Sequence, residues 1–230
     1  TGDFSGDVDV DGTLEADAYT IGDAAFIKVE GTNFTGGLLV GHATTGTLDA
    51  ANYNTGVGIG TLDALTQGDD NTAMGRLAGT GVTTGSKNVL IGSSAGQNIS
   101  SAGENIGIGY QALQIVSTSG SQNTAIGSES LKAVTSGDYN VGLGYKAGDA
   151  LTSGKGNVII GSNIDVASNT GDRQLLIAGY DGTTTTSWIT GDNSGNLTMP
   201  AEIAAATLDI SGAIDIDGTA NLDTVDIDGA

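Results

Sequence analysis

"NTAIGSESLKAVTSGDY", residues 123–139, opens with Asn, carries Gly at its fifth place and turns at Ser-Gly, with no side chain suited to catalysis. "NVGLGYKAGDALTSGKG" (140–156) and "NVIIGSNIDVASNTGDR" (157–173) follow it and open the same way. The stretch is one copy of a repeat. Its Asn falls at Asn71, Asn88, Asn105, Asn123, Asn140 and Asn157, in steps of 17, 17, 18, 17 and 17, after a degenerate copy ending in "GVGIG" (56–60). A turn glycine recurs at Gly68, Gly85, Gly103, Gly120, Gly137, Gly154 and Gly171. A fixed short period marks a solenoid, in which each unit rests on its neighbours because it cannot bury an apolar face alone.

Spacing within the unit predicts where side chains point. The fourth place is large and apolar (Met74, Ile91, Ile108, Ile126, Leu143, Ile160), and the second is Thr, Val or Ile. A two-residue spacing of β-branched residues is a strand signal, and it predicts these two places on the buried face. Glycine at the fifth place (Gly75, Gly92, Gly109, Gly127, Gly144, Gly161) lets the backbone bend or approach another backbone. A small residue three places on (Ala78, Ala95, Ala112, Ser130, Ala147) and an aliphatic one four further (Val82, Ile99, Val116, Val134, Leu151) suggest a second short strand. The rival helical turn is weakened by Gly79, Gly96 and Gly148. The expected fold is all-β: a parallel β-solenoid of about 17 residues per coil, each coil two short strands and two turns. The third place (Ala73, Leu90, Gly107, Ala125, Gly142, Ile159) is mostly small and uncharged, a smooth face that predicts packing of copies into a homotrimer.

Composition agrees with an architecture that lacks a deep core. Among 230 residues there are 39 Gly, 1 Pro and only 4% aromatics, too few bulky side chains for an ordinary globule. With no Cys, disulfides and thiolate metal sites are excluded. No apolar run approaches the ~18 residues of a membrane span, so membrane insertion is not expected. The net charge of −20 is concentrated at the ends. Residues 1–52 hold nine acids and one base, 53–173 nine acids and six bases, and 174–230 nine acids and no base. Such a field disfavours nucleic acids and anionic lipid as partners.

Five segments follow. Residues 1–22 contain "FSGDVDVDGTLEADAYTIG" and 201–230 contain "LDISGAIDIDGTANLDTVDIDGA", in which Val, Ile or Leu alternates with Asp before a Gly turn. Alternation predicts strands with one wet face, which three chains could assemble into a β-prism. The second pattern still runs at Ala230, so the polypeptide is expected to continue. Residues 23–52 read as a small β-element, 53–173 as the solenoid and 174–200 as a β-meander with an Asp-Gly turn.

The units "NTAIGSESL", "NVGLGYKAG" and "NIGIGYQAL" resemble the Asn-x-Ala-Ile-Gly repeats of phage tail fibres and, more distantly, the β-roll heads of trimeric autotransporter adhesins. "AIDIDGTANLDTVDIDGA" is similar to stretches of fibre proteins of marine phages. The resemblance implies a trimeric, elongated, extracellular fibre of a virion. Its partners would be its own copies, other virion or fibre proteins, and a host-surface glycan or protein. Adhesin heads repeat at a shorter period and lead into a neck, coiled-coil stalk and membrane anchor, none of which is recognisable here. A bacterial trimeric surface adhesin is the alternative, and a polysaccharide depolymerase the third reading.

Chemical motifs are sparse. "GIGYQA" (107–112) and "GLGYKA" (142–147) match a dinucleotide fingerprint, but they recur with the repeat and no helical period follows. "DVDVDG" (7–12) starts like a calcium loop, yet Ala18 stands where a bidentate Glu is needed. His42 is the single histidine and has no companion motif. No catalytic residue and no cofactor are therefore expected, with loose Ca²⁺ bridging of the Asp-rich ends left open. Carboxylate pairs for glycoside cleavage cannot be assigned from spacing alone. Tyr110, Tyr145 and Tyr180 are the candidates for stacking on surface sugars.

Overall fold

A computed structural model describes residues 19–21, 24–31, 34–40, 48–114 and 120–200. His42, Val116, residues 1–18 and the acidic segment 201–230, with the prism and cation-bridging expectations attached to them, lie outside the described residues. Among the described residues there is no helix. The strands are β1 (Tyr19–Ile21), β2 (Ala24–Gly31), β3 (Phe34–Val40), β4 (Thr55–Val57), β5 (Thr72–Met74), β6 (Val89–Ile91), β7 (Ile106–Ile108), β8 (Thr124–Ile126), β9 (Val141–Leu143), β10 (Val158–Ile160), β11 (Leu175–Tyr180), β12 (Thr185–Gly191) and β13 (Leu197–Thr198).

They form one sheet in chain order. β3 to β11 pair in parallel, each rung in register with the next, so that Thr124 meets Val141 and Ile126 meets Leu143. The chain is a parallel β-solenoid of eight steps, 17 residues each save for the 18 between β7 and β8. It begins earlier than residue 53, because Leu38, Leu39 and Val40 already occupy places two to four of a rung. Antiparallel β1–β2–β3 precede it and antiparallel β11–β12–β13 close it.

Place one carries the axis of this stack. Asn54, Asn71, Asn88, Asn105, Asn123, Asn140 and Asn157 are fully buried. Each Oδ1 accepts two bonds from the following rung: from the backbone N–H at 2.9–3.1 Å and from the amide Nδ2 at 2.9–3.2 Å. Each Nδ2 also donates within its own coil to the turn carbonyl fourteen or fifteen residues on, as Asn123 does to Gly137 at 2.9 Å. Every polar atom of the column is thereby satisfied, which buried amides require. In the coil of Asn88 the accepting carbonyl belongs to Ala102, not to Gly103 as the glycine spacing suggests.

Both ends of the column are closed. Gly37 holds place one upstream of Asn54, and a β-carbon there would come within 2.2–2.7 Å of the buried Phe34 ring, which fills that space. Asn54 Nδ2 accordingly donates to Asn52 O at 3.0 Å, having no earlier amide to meet. Downstream, Gln174 donates to Asn157 Oδ1 at 3.2 Å and also to the carbonyls of Ser168 and Gly171.

With place one turned inward, strand alternation turns place three inward as well. This corrects the expected facing. Ala73, Leu90, Ala125 and Ile159 are buried, whereas Met74, Ile126 and Leu143 are 50%, 39% and 44% exposed and Ile91, Ile108 and Ile160 are partly so. The smooth row is the interior, and the larger side chains of places two and four line the outer face. The interior is completed by place eight (Ala78, Ala95, Ala112, Ser130, Ala147) and place twelve (Val82, Ile99, Val134, Leu151).

The second expected strand is also corrected. The segment after the fifth place is a run of turns, apart from one isolated bridge between Ala147 and Ile164. Its backbone is left-handed at non-glycine residues such as Leu77 (φ 60°), Leu131 (φ 46°) and Lys146 (φ 52°), each costing ~1–2 kcal/mol on steric grounds. Hydrogen bonds between coils hold it, for example Leu131 N–H to Ala147 O at 3.0 Å and Lys146 N–H to Ser128 O at 2.9 Å. At the fifth place glycine is required: Gly127 has φ 134°, and a β-carbon on it would lie 2.3 Å from Gly144 O.

Truncating one rung of the amide column tests its worth. Asn123→Ala leaves the buried Asn140 N–H and Gly137 carbonyl without partners, at ~1–3 kcal/mol each. We expect a loss of roughly 2–6 kcal/mol in chemical denaturation. Asn123→Asp should not rescue it, because a carboxylate has no donor for Asn105 Oδ1 or Gly137 O.

Candidate functional site

Function in such a rod lies on its outer rows. Along β3 to β11, places two and four form a continuous stripe of Leu, Val, Thr, Met and Ile, with no charged residue on any rung. At the stripe's edge the chain turns the glycine corner into place six, which holds Tyr110 and Tyr145, 49% and 48% exposed. The Lys146 ammonium lies 5.6 Å from the Tyr145 ring centroid and 3.9 Å from Glu129 Oε2.

Of the three tyrosines singled out by sequence, Tyr110 and Tyr145 share this row. Tyr180 falls one place further on, and its hydroxyl donates to Gly182 O at 2.8 Å within the hairpin loop. Trp188, exposed at 57%, sits on β12 against Gly179. As a single Trp outside the repeat, its only signal in the sequence is the glycine opposite it.

Two further rows flank the Asn column. Two residues before place one, the side chain on most coils accepts from the backbone of the coil before: Asp69 Oδ1 from Asn52 N–H (2.7 Å), Asp138 Oδ1 from Ser121 N–H (3.0 Å) and, ahead of Gln174, Asp172 Oδ1 from Lys155 N–H (2.8 Å). Partial burial pushes the Asp138 carboxyl up, but the Lys155 ammonium at 2.7 Å and the Ser121 N–H outweigh it and leave it below its ordinary value. One residue before each Asn comes a left-handed row that includes Tyr53 and Tyr139, 62% and 61% exposed.

At the downstream end a cavity of 430 Å³ opens between the last coil and β12, lined by Ile164, Val166, Leu176, Thr185, Ser187 and Thr190 among others. It lies at the end of the solenoid core, where among the described residues no further parallel rung stacks. Among the described residues no three His, Cys, Asp or Glu side chains gather in a group that could hold a metal ion. Met74, Ile91, Ile108, Ile126, Leu143 and Ile160, expected as core, are thus surface residues of the stripe, while the glycines beside them shape the corner. No family model, curated protein or solved structure matches the chain.

Near the cavity, Asp165 occupies place nine of its coil and accepts a bond from Ala150 N–H at 3.0 Å. Desolvation raises its carboxyl above the ordinary value; the Ala150 bond opposes this, and the neighbouring Asp149 adds to it. A raised folded value means that the folded chain keeps a proton which the unfolded chain loses near pH ~3.9, so stability falls as pH rises through that window. Asp165→Asn keeps the acceptor and removes the charge. We expect a gain in melting temperature of roughly 1–2 °C at neutral pH, since solvent screens the pair, and no gain below pH ~3.5.

Proposed function

We propose that this chain is a structural, receptor-reaching fibre segment of a phage virion that attaches the particle to its host surface without catalysis. The observation that carries the reading is the uncharged apolar stripe running the length of the solenoid. In a protein of net charge −20, nine successive rungs carry Leu, Val, Ile, Met or Thr at places two and four, each at least partly exposed, and interpose no Lys, Arg, Asp or Glu. An exposed apolar strip of that continuity is an association surface.

A second copy is the partner whose side chains repeat at the same ~4.8 Å pitch, so that two stripes interlock along their whole length. A flat pairing of two strips only two side chains wide leaves each strip with a single neighbour. Three strips converging on an axis let each chain meet both others, which supports the homotrimer. The face is places two and four, not the third place from which the sequence argued it. The Asn-x-Ala-Ile-Gly resemblance supports a virion setting, with other fibre proteins as neighbours and extracellular exposure.

Two measurements test this. Sedimentation equilibrium should report three chains per particle, and Ile126→Asp together with Leu143→Asp should yield monomers that retain their β-sheet circular dichroism. By contrast Ala125→Asp, one residue away but inward, should unfold the chain by burying an unpaired charge. Antibody labelling in electron micrographs should place the protein on virion appendages; labelling of a bacterial envelope would favour the surface adhesin.

A further inference from the structure

Place six repeats on every rung, and four consecutive rungs set Tyr110, Ser128, Tyr145 and Ser162 there. The backbone fixes this row. Glu129 N–H donates to Tyr110 O at 2.7 Å, Lys146 N–H to Ser128 O at 2.9 Å, and Asn163 N–H to Tyr145 O at 2.6 Å. On the next rung, β11, place six is Gly179, and a β-carbon there would meet Cζ2, Cη2 and Cε2 of Trp188 at 2.6, 3.1 and 3.4 Å. The indole fills the space that this rung's own side chain leaves.

Trp188 reaches that position through a register shift. Ile177 faces Ile189 and Ala178 faces Ser187, so Trp188 is the extra residue of a bulge on β12. Bulges re-aim side chains. Rings therefore fall on β7, β9 and β11 and serines on β8 and β10, giving an aromatic every second rung at a spacing of ~9.6 Å. All three rings are half exposed.

We propose that this row binds an extended, uncharged polysaccharide of 1,4-linked β-hexopyranoses, with every second sugar stacked on Tyr110, Tyr145 or Trp188. In such a chain each sugar advances the polymer by nearly the distance one coil advances the solenoid. The apolar face of alternate sugars then comes over successive rings, and the hydroxyls of Ser128 and Ser162 face the sugars between. Ring stacking supplies the contact area, and the strand ladder pre-organises it. Anionic polymers are disfavoured by the protein's charge, and nucleobase stacking would need a cationic groove alongside. The proposal deepens the attachment reading and rests on it for a host surface as the source of the polymer.

The test is calorimetric titration of the full chain with cello-oligosaccharides and fully N-acetylated chito-oligosaccharides from the disaccharide to the hexasaccharide. Affinity should step up at the trisaccharide, which reaches two rings, and again at the pentasaccharide, which spans the five rungs β7 to β11. Trp188→Ala should abolish the second step, and Tyr145→Ala should weaken pentasaccharide binding by about tenfold or more. Tyr145→Phe should retain it, because stacking and not the hydroxyl carries the contact. Tyr53→Ala and Tyr139→Ala, on another row, should leave both steps intact. No binding by any oligomer at millimolar concentration, or a length dependence unchanged in Trp188→Ala, would overturn the site. Stepwise binding by a chain found on a cell envelope would retire the virion reading and keep the site; a virion-borne chain that binds none of these oligomers would do the reverse.

Discussion

The buried asparagine column is the constraint on which everything else depends. A three-residue strand has too few ladder bonds to fix its neighbours, and the coil contributes few large side chains. Asn solves both problems at one place: its amide is short enough to stay inside the coil, and it presents two donors and a two-fold acceptor. One side chain therefore joins its own turn to its own strand and its rung to the rung before. Serine would lack the second donor, and a longer amide would overshoot the turn carbonyl of its own coil; Gln174 stands only at the downstream end, where it closes the column on Asn157 and the carbonyls of Ser168 and Gly171. Because each unit is completed by its neighbour, stability is a property of the stack and not of any coil.

The period is plain in the sequence because two columns admit almost one residue type each, Asn for its amide and the fifth-place Gly for its backbone. The facing is hidden for an equally physical reason. Residue size points to places two and four as core, whereas alternation from a buried Asn puts place three inside. Place three looks too small to be a core because its volume is supplied by place nine of its own coil or by the adjoining coil. Gly56 is matched by Leu62, Gly107 by Leu113 and Ala125 by Leu131, while Leu90 is matched by Gly96. The contact geometry shows both routes: a β-carbon on Gly96 would strike Leu90 Cδ2 of its own coil at 2.5 Å, and one on Gly142 would strike Leu131 Cγ of the coil before at 2.7 Å. Where both places are small, as at Gly142 and Gly148, Leu131 and Ile159 of the neighbouring coils fill the space, and a reading of single positions does not see such partners.

The turns escape sequence for another reason. Left-handed Leu at 77, 113 and 131 contradicts local preference, and only the bonds between coils make that backbone affordable. Of the candidate site, Tyr110 and Tyr145 are legible because they hold the same place in the repeat. Trp188 is not, since it enters their row from a different strand through a bulge and a glycine. Its neighbour Tyr180, which sequence grouped with them, is turned into the loop.

In-register stacking also dictates where charge can go. Any place repeated along the rod brings its side chains to ~4.8 Å, where two like charges repel by ~1 kcal/mol even in water, and the cost accumulates along a ladder. The rows around the coil alternate accordingly. Asp138, Lys155 and Asp172 follow one another on one row, Asp70, Lys87 and Glu104 on the next, and Glu129 and Lys146 on a third. This is why six of the chain's seven bases lie within 53–173, where nine acids need offsetting along stacked rows. The stripe at places two and four takes the other solution and carries no charge at all. Alternating charge would have served solubility there equally well, so the absence of charge on this one row is the feature that the proposed self-association rests on.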